Sequence, residues 1–433
     1  MPTSETKFER NLSLMGALTI GLGTMIGAGL FVLSGPAAGE AGPAVTLSYI
    51  IAGVICLPVA MVVSELATAM PQAGGSYHLV TKTLGPFAGT IVGLANWLGL
   101  MFAGGFYLIG FAQYLTEYVG IDRWIIVAVV GGLFILLNVL GAHYTGTVQQ
   151  VIVLVLVLIL GYYIVTGWPK IDKDLQRPFF EEGFGNVFAT VGLIIVSFTG
   201  FEKISTTAGE IKKPSKNLPI AIIGSVVLAT ILYFFILHVS TGVVSYKEFA
   251  KMNAPLVDTA EIFMSNSIGV TIVWSAALLA MASSSNAAVT TASRINFAMG
   301  RDRVLPGWFD YIHDKFDTPV RSVLITGFIC IGLAEVGNIE QLAKISSVMF
   351  MVSYALICLG ILKMRRTKPE WYKPGFKVPW VPVLPIMAGL ASLSIIVVMD
   401  LVPQLAGLGF ALIGVAWYFI WVRKNYRSVG EKE

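Results

Sequence analysis

Long apolar runs recur along this chain, each close to the roughly 20 residues that a helix needs to cross a bilayer. They cover about 14–38, 44–70, 85–117, 123–141, 146–168, 186–211, 218–244, 267–299, 319–337, 341–363, 381–401 and 404–423. Val402 and Pro403 are the main separation between the last two. In lipid a backbone must satisfy its own polar groups, and continuous runs of this length do so as helices. Charged residues make up 12% of the chain, about half of what a soluble surface carries. Mean hydropathy is +0.78. The expected fold class is an all-α polytopic membrane protein of about 12 transmembrane helices. Soluble, disordered, coiled-coil and disulfide-scaffold classes fail on the same numbers.

Basic residues orient the helices, because cytoplasmic loops carry an excess of Lys and Arg. With both termini on one side, that side holds 20 of the 29 basic residues and the other holds 6. Lys344 lies at a helix start on the poorer side, and Lys203 and Arg294 lie inside helices. The expectation is a multi-pass plasma-membrane protein with both termini cytoplasmic and the lipid bilayer as its partner. The polar start, MPTSETKFERNLSL, leads into an apolar run with no small-residue cleavage site, so no signal peptide is expected. A net charge of +4 gives no reason to expect nucleic acid. Cys56, Cys330 and Cys358 sit in apolar runs without metal or redox spacing and read as small buried hydrophobes.

Two runs are interrupted. In the first, Gly21, Gly23, Gly27 and Gly29 weaken a helix by about 1 kcal/mol each relative to Ala. A break at membrane depth is tolerated only where it faces protein or a cavity. Close helix packing through small residues is the alternative, and Gly23 with Gly27 fits it. In the sixth run, Ser197, Thr199, Gly200, Glu202, Ser205, Thr206 and Thr207 interrupt an apolar stretch. Interrupted helices at corresponding places in two halves point to a transport site. On this reading 14–168 and 186–363 are two five-helix repeats, with 381–423 as two peripheral helices. Helix amino ends facing a carboxylate, and carbonyl ends facing a cation, suit a zwitterionic amino acid.

Further motifs make a resemblance specific. The run Gly23–Phe31 (GTMIGAGLF), Ser64-Glu65-Leu66 followed by PQAGGSY at 71–77, and Gly200-Phe201-Glu202 are among them. So are Glu210 to Pro219, Ser293-Arg294, Ala298–Asp302 with Leu305-Pro306, and Thr318-Pro319. In this order and spacing the chain resembles the amino acid–polyamine–organocation permeases over nearly its whole length. The resemblance implies a five-plus-five inverted repeat (LeuT-like) with unwound helices 1 and 6. It places Ile26, Gly27, Ala28 and Gly29 where first-helix backbone holds a substrate carboxylate. It places Val196, Ser197, Phe198 and Gly200 where sixth-helix carbonyls hold the ammonium group. Glu202 falls on a recurrent polar or acidic position beyond that break, with Phe201 beside it as a gating candidate.

Two departures stand out. Many relatives carry a bulky aromatic gate where this chain has Val196, so Phe198 or another aromatic gates, or the pocket is larger. Several proton-coupled relatives carry a fifth-helix lysine. The matching position, counted from Val148-Gln149, is Leu156, and no lysine occurs from 146 to 168.

Other polar residues have competing readings. Glu65 is a coupling candidate or an interfacial ion pair. Glu202 is a proton carrier or the partner of Lys203 or another neighbour. Ser283 and Ser284 are weak sodium candidates, since related carriers set hydroxyls of the eighth helix against first-helix carbonyls, and interhelical hydrogen bonding is their alternative. Tyr107, Gln113, Asn96 and Trp97 line the pathway or glue helices. His78, His143, His238 and His313 form no metal pattern, so no metal and no cofactor are expected. No nucleophile–base constellation or phosphate-binding lysine loop appears, so neither an enzyme nor ATP drive is expected. The function expected is a secondary active transporter that moves an amino acid by alternating access, coupled to H+ or exchange. The alternative is a cation- or sodium-coupled carrier of the same fold for amines, polyamines or inorganic ions; a membrane sensor without flux is a further rival. Glu202 is the one charge near the presumed pocket, which favours a neutral substrate. Oligomeric state does not follow from the sequence.

Overall fold

The computed structural model describes residues 10–71, 74–141, 146–264 and 267–427, with backbone alone for Ala28 and 146–149. Gln72 and Ala73 of the PQAGGSY motif, and His143, lie outside the described residues. The described chain is helical, and its only bridges are the isolated pairs Leu12–Ile211 and His313–Thr318.

The first run folds as three pieces rather than one helix. α1 (Leu14–Met25) starts behind Ser13, whose hydroxyl accepts the Gly16 N–H at 3.1 Å. It stops at Ile26-Gly27, continues as α2 (Ala28–Phe31), and turns again before α3 (Ser34–Ala41). α4 (Val45–Ala69), α5 (Gly75–Leu84), α6 (Pro86–Val119), α7 (Arg123–Val139) and α8 (Gly146–Gly167) follow. Pro86 takes the first position of α6, where its missing N–H is no loss, and Gly120 ends the helix with φ +67°.

The sixth run is α9 (Phe184–Ile194), a 3₁₀ turn (Ile195–Phe198) and α10 (Gly200–Thr206). α11 (Pro214–Val243), the short α12 (Tyr246–Phe249) and α13 (Pro255–Phe263), α14 (Ser267–Arg301) and α15 (Val320–Val336) come next. α16 (Ile339–Thr367), α17 (Val383–Val398) and α18 (Leu401–Trp417) complete the chain. Each apolar run read from the sequence is helical, the first and the sixth in several pieces. Among the described residues, nine helical segments are long and apolar enough to cross a membrane, and α7 and α17 are shorter apolar helices. The three cysteines are buried and free.

Polar contacts define two faces. On the basic face, Leu12 exchanges backbone hydrogen bonds with Glu210 and Lys212. There Tyr77 donates to Asp302 at 2.9 Å, and Arg365 meets Glu65. On the opposite face, Lys247 pairs with Glu181 at 2.8 Å, and Tyr246 donates to Glu182 at 2.7 Å. Lys344 there bridges Glu40 of α3 and Asp400 at the start of α18 (2.5 and 2.7 Å). α1 therefore begins on the basic face, where α10 ends, and the two broken helices run antiparallel through the core.

Candidate functional site

The two breaks meet. At the first, the Ile26 N–H still bonds to Leu22 O at 2.8 Å, and helical bonding resumes with the Leu30 N–H on Gly27 O at 3.1 Å. Helix starts leave amides without intrahelical acceptors, so the Gly27–Gly29 amides are the donors of this end. Gly27 allows the approach of α14, since a Cβ there would fall on the side chain of Ser284. A Cβ on Gly29 would fall on Ser197, and one on Gly200 would fall on Thr24 and Gly21 O. Gly21 stays inside α1, where a Cβ would meet Ile204 and Ser225. The glycine cluster thus serves both readings: packing at Gly21 and a break at Gly27.

At the second break the helix tightens instead of opening. The Thr199 N–H bonds to Val196 O at 3.3 Å, and the Glu202 N–H to Thr199 O at 3.2 Å. Ser197 joins the breaks directly, its hydroxyl donating to Gly29 O at 3.0 Å. Tyr49 of α4 donates to the same carbonyl at 3.3 Å, filling its second lone pair. Tyr233 of α11 donates to Ser197 O at 3.1 Å, and Ser347 of α16 accepts the Val196 N–H at 3.2 Å. The rings of Tyr49, Phe198 and Tyr233 form one cluster, with centroids 5.2–6.5 Å apart. All three are fully buried, as are Ile26, Val196 and Phe201.

Tyr49, Tyr233 and Ser347 were not singled out by the sequence. A tyrosine inside an apolar run is a signal, because a buried hydroxyl seeks an acceptor. Which acceptor it finds is a long-range fact. Beside Val196, the aromatics packed at the break are Phe198, Tyr49 and Tyr233.

The remaining candidates separate. Glu202 accepts from Ser76 of α5 at 2.9 Å through Oε2, and its Oε1 is buried without a hydrogen-bond partner among the described residues. It does not pair with Lys203, which forms no ion pair within 4.0 Å among those residues. Both line a narrow cavity with Ser76, Asn96 and Thr206, with about 20 Å³ open to water centres, room for about one water. Phe201 lies against Tyr354, with centroids 5.6 Å apart, and so packs beside the break.

Glu65 does not line that cavity and is fully buried. It accepts from Arg365 Nη2 (2.8 Å), Tyr372 OH (2.5 Å) and the Val378 N–H (2.5 Å), clamping α4 to the end of α16 and the loop after it. Arg365 Nε, 2.7 Å from Glu65 Oε1, adds charge attraction without a directed hydrogen bond.

Ser284 is buried with no partner for its hydroxyl among the described residues, directly behind Gly27. Ser283 is partly buried and partnered. Asn96 accepts from Ser353 at 2.7 Å and Trp97 donates to Thr326 at 3.3 Å, so both bind helices together. Tyr107 is buried against Phe106, and Leu156 is buried in α8. Among the described residues no three His, Cys, Asp or Glu side chains cluster as metal ligands.

Comparison with known proteins gives a family model described as amino acid permease that matches residues 12–422. The branched-chain amino acid permease BcaP of Bacillus subtilis is 29% identical over 98% of this chain and 95% of its own length. The methylthioribose transporter of the same organism is 28% identical over 96% and 94%. Its serine/threonine exchanger SteT is 24% identical over 92% of each chain.

Proposed function

The chain belongs to the amino acid permease family, and from that premise we propose that it carries a neutral amino acid across the membrane by alternating access. The observation that carries this reading is the bond from Ser197 to Gly29 O, which brings the two helix breaks into one buried site. The substrate carboxylate takes the amides of Gly27, Ala28 and Gly29, at the positive end of a helix start. The ammonium group takes carbonyls at Val196–Phe198 and Gly29. In the present state tyrosine and serine hydroxyls occupy two of those carbonyls, so substrate donors replace them on binding. Tyr49, Phe198 and Tyr233 enclose the side chain.

The chain crosses the membrane 12 times in this reading, with the basic face cytoplasmic. Residues 14–168 and 186–363 are inverted repeats, and 381–423 is peripheral. Support comes from the register of the breaks: 12 residues of α1 precede the first and 11 residues of α9 precede the second. Coupling is by a proton on Glu202, whose buried Oε1 has no hydrogen-bond partner among the described residues, or by exchange. A sodium-coupled form is the second reading, favoured by the Ser284 hydroxyl behind Gly27, which has no partner among the described residues.

Purified protein in liposomes tests this. Uptake or exchange of at least one amino acid, driven by a proton, sodium or counter-substrate gradient, is the expected result. No flux for any amino acid or amine under all three gradients would remove the reading.

A further inference from the structure

A cavity of about 300 Å³ opens on the face opposite the basic loops. That is the lower end of the range for small-molecule sites, about 300–1,000 Å³. Its floor includes Val32, which directly follows α2, so it begins three residues beyond Gly29. Its walls carry Arg123 at the start of α7, Lys251 in the α12–α13 loop, Glu340 at the start of α16, and the amides of Gln113 and Asn338.

The charges on this face divide into two kinds. Lys247 is paired with Glu181, and Lys344 with Glu40 and Asp400. Arg123, Lys251 and Glu340 form no ion pair within 4.0 Å among the described residues. A cavity that gathers three unpaired charges, while neighbouring cations are neutralised, holds them available for a ligand. Two positive groups and one negative group give the lining a net charge of +1, so it complements a carboxylate and repels a net cation.

We propose that this cavity is a staging site on the path to the break. It holds a neutral or acidic amino acid by its carboxylate on Arg123 and Lys251, with Glu340 facing the ammonium group, and it disfavours cationic amino acids. The proposal rests on the transport reading above and adds a charge selection made before the central site. Potential focused in a cleft also raises the rate of encounter and falls with salt.

The test uses the full-length protein in liposomes of one orientation, sorted by protease access to a terminal tag. Concentration dependence is measured from each face for the best-transported neutral amino acid, with glutamate and lysine as competitors. Replacing both cations (Arg123→Gln with Lys251→Gln) should raise KM from the cavity face about three- to tenfold, as two exposed charge contacts allow. The maximal rate, and KM from the basic face, should stay as in wild type. Salt should raise the wild-type KM from the cavity face and leave that of the double variant nearly unchanged. The charge-keeping pair Arg123→Lys with Lys251→Arg should keep the wild-type KM, which separates charge from folding. Glu340→Gln should strengthen competition by glutamate and weaken any by lysine. Equal KM changes from both faces, or none, would overturn the staging site while wild-type transport still stands. A wild-type protein that moves no amino acid would overturn the transport reading and the staging site with it.

Discussion

Substituting Gly27 looks like a direct way to fill the site, yet the structure gives that change another consequence. A methyl group built on Gly27 lies 2.7 Å from Ser284 Cβ and overlaps its hydroxyl, with Ala280 O at 3.7 Å. Ordinary contact begins near 3.4 Å, so Gly27→Ala must push α14 away by roughly 0.7 Å to clear the Ser284 Cβ, and must also turn the Ser284 hydroxyl aside. Overpacking of this kind costs about 1–3 kcal/mol. Backbone strain adds nothing, because Gly27 does not adopt a positive φ. Gly27→Ala should therefore lower the thermal midpoint in detergent and impair transport through displaced helices. Ser284→Gly removes both clashing atoms, so the double variant should recover most of the loss, less about 1 kcal/mol for a glycine inside a helix. Ser284→Ala is the discriminating control. It removes the hydroxyl but keeps the Cβ 2.7 Å from the new methyl, so its rescue should be partial. A double-mutant cycle on midpoints should show favourable coupling for both pairs, larger for the glycine pair than for the alanine pair. The reasoning is refuted if Gly27→Ala is as stable as wild type, or if Ser284→Ala rescues as fully as Ser284→Gly.

Three other outcomes follow from single contacts. Arg365→Ala strips the charge partner from fully buried Glu65 and should destabilise by about 3–5 kcal/mol, whereas Arg365→Lys, keeping the charge without the fork, should lose less; melting in detergent distinguishes them. Tyr233→Phe leaves buried Ser197 O short of a donor, at about 1–3 kcal/mol, so the empty protein should melt earlier while the substrate-induced shift in midpoint grows; loss of both stability and that shift would contradict the role given to the hydroxyl. Burial, with Glu117 and Glu261 nearby, pushes the Asp258 carboxyl in α13 up from 3.8 to about 6. A raised carboxyl favours folding while protonated and loses that contribution as pH rises through about 6, so Asp258→Asn should raise the midpoint at neutral pH and change little below 3.8.

What the sequence made legible divides by the range of the forces involved. Helix positions rest on local runs of apolar residues, and every run has its helix. The first break was visible because glycine weakens a helix wherever it stands. The form of the second break was not. Gly200 and its neighbouring hydroxyls marked the place, but whether the chain there opens or tightens depends on Ser347 from α16 and Tyr233 from α11. Glu65 shows the same limit. Its carboxylate at a helix end allowed both a coupling and an ion-pair reading, and its partner Arg365 lies 300 residues further on. Glycine had two meanings in one cluster, since Gly21 packs against Ser225 inside α1 while Gly27 packs against Ser284 and also lies in the break after Met25.

Val196 carries the last step. Where the family resemblance leads to the expectation of a bulky gate on the sixth helix, this chain has Val196, fully buried. Aromatic cover is instead shared among Phe198, Tyr49 on α4 and Tyr233 on α11, and the two tyrosines bind the backbone of both breaks. A ring on the broken helix can swing without disturbing any backbone bond. Here Tyr233 cannot move away from Ser197 O without leaving that carbonyl in need of another donor, while moving Tyr49 frees one lone pair of Gly29 O, which keeps the Ser197 hydroxyl. An amino acid's ammonium group supplies such donors. On the transport reading proposed above, opening the aromatic cover and seating the substrate are one exchange of hydrogen bonds, and an apolar molecule of the same shape lacking the ammonium group should fit the cluster yet fail to open it.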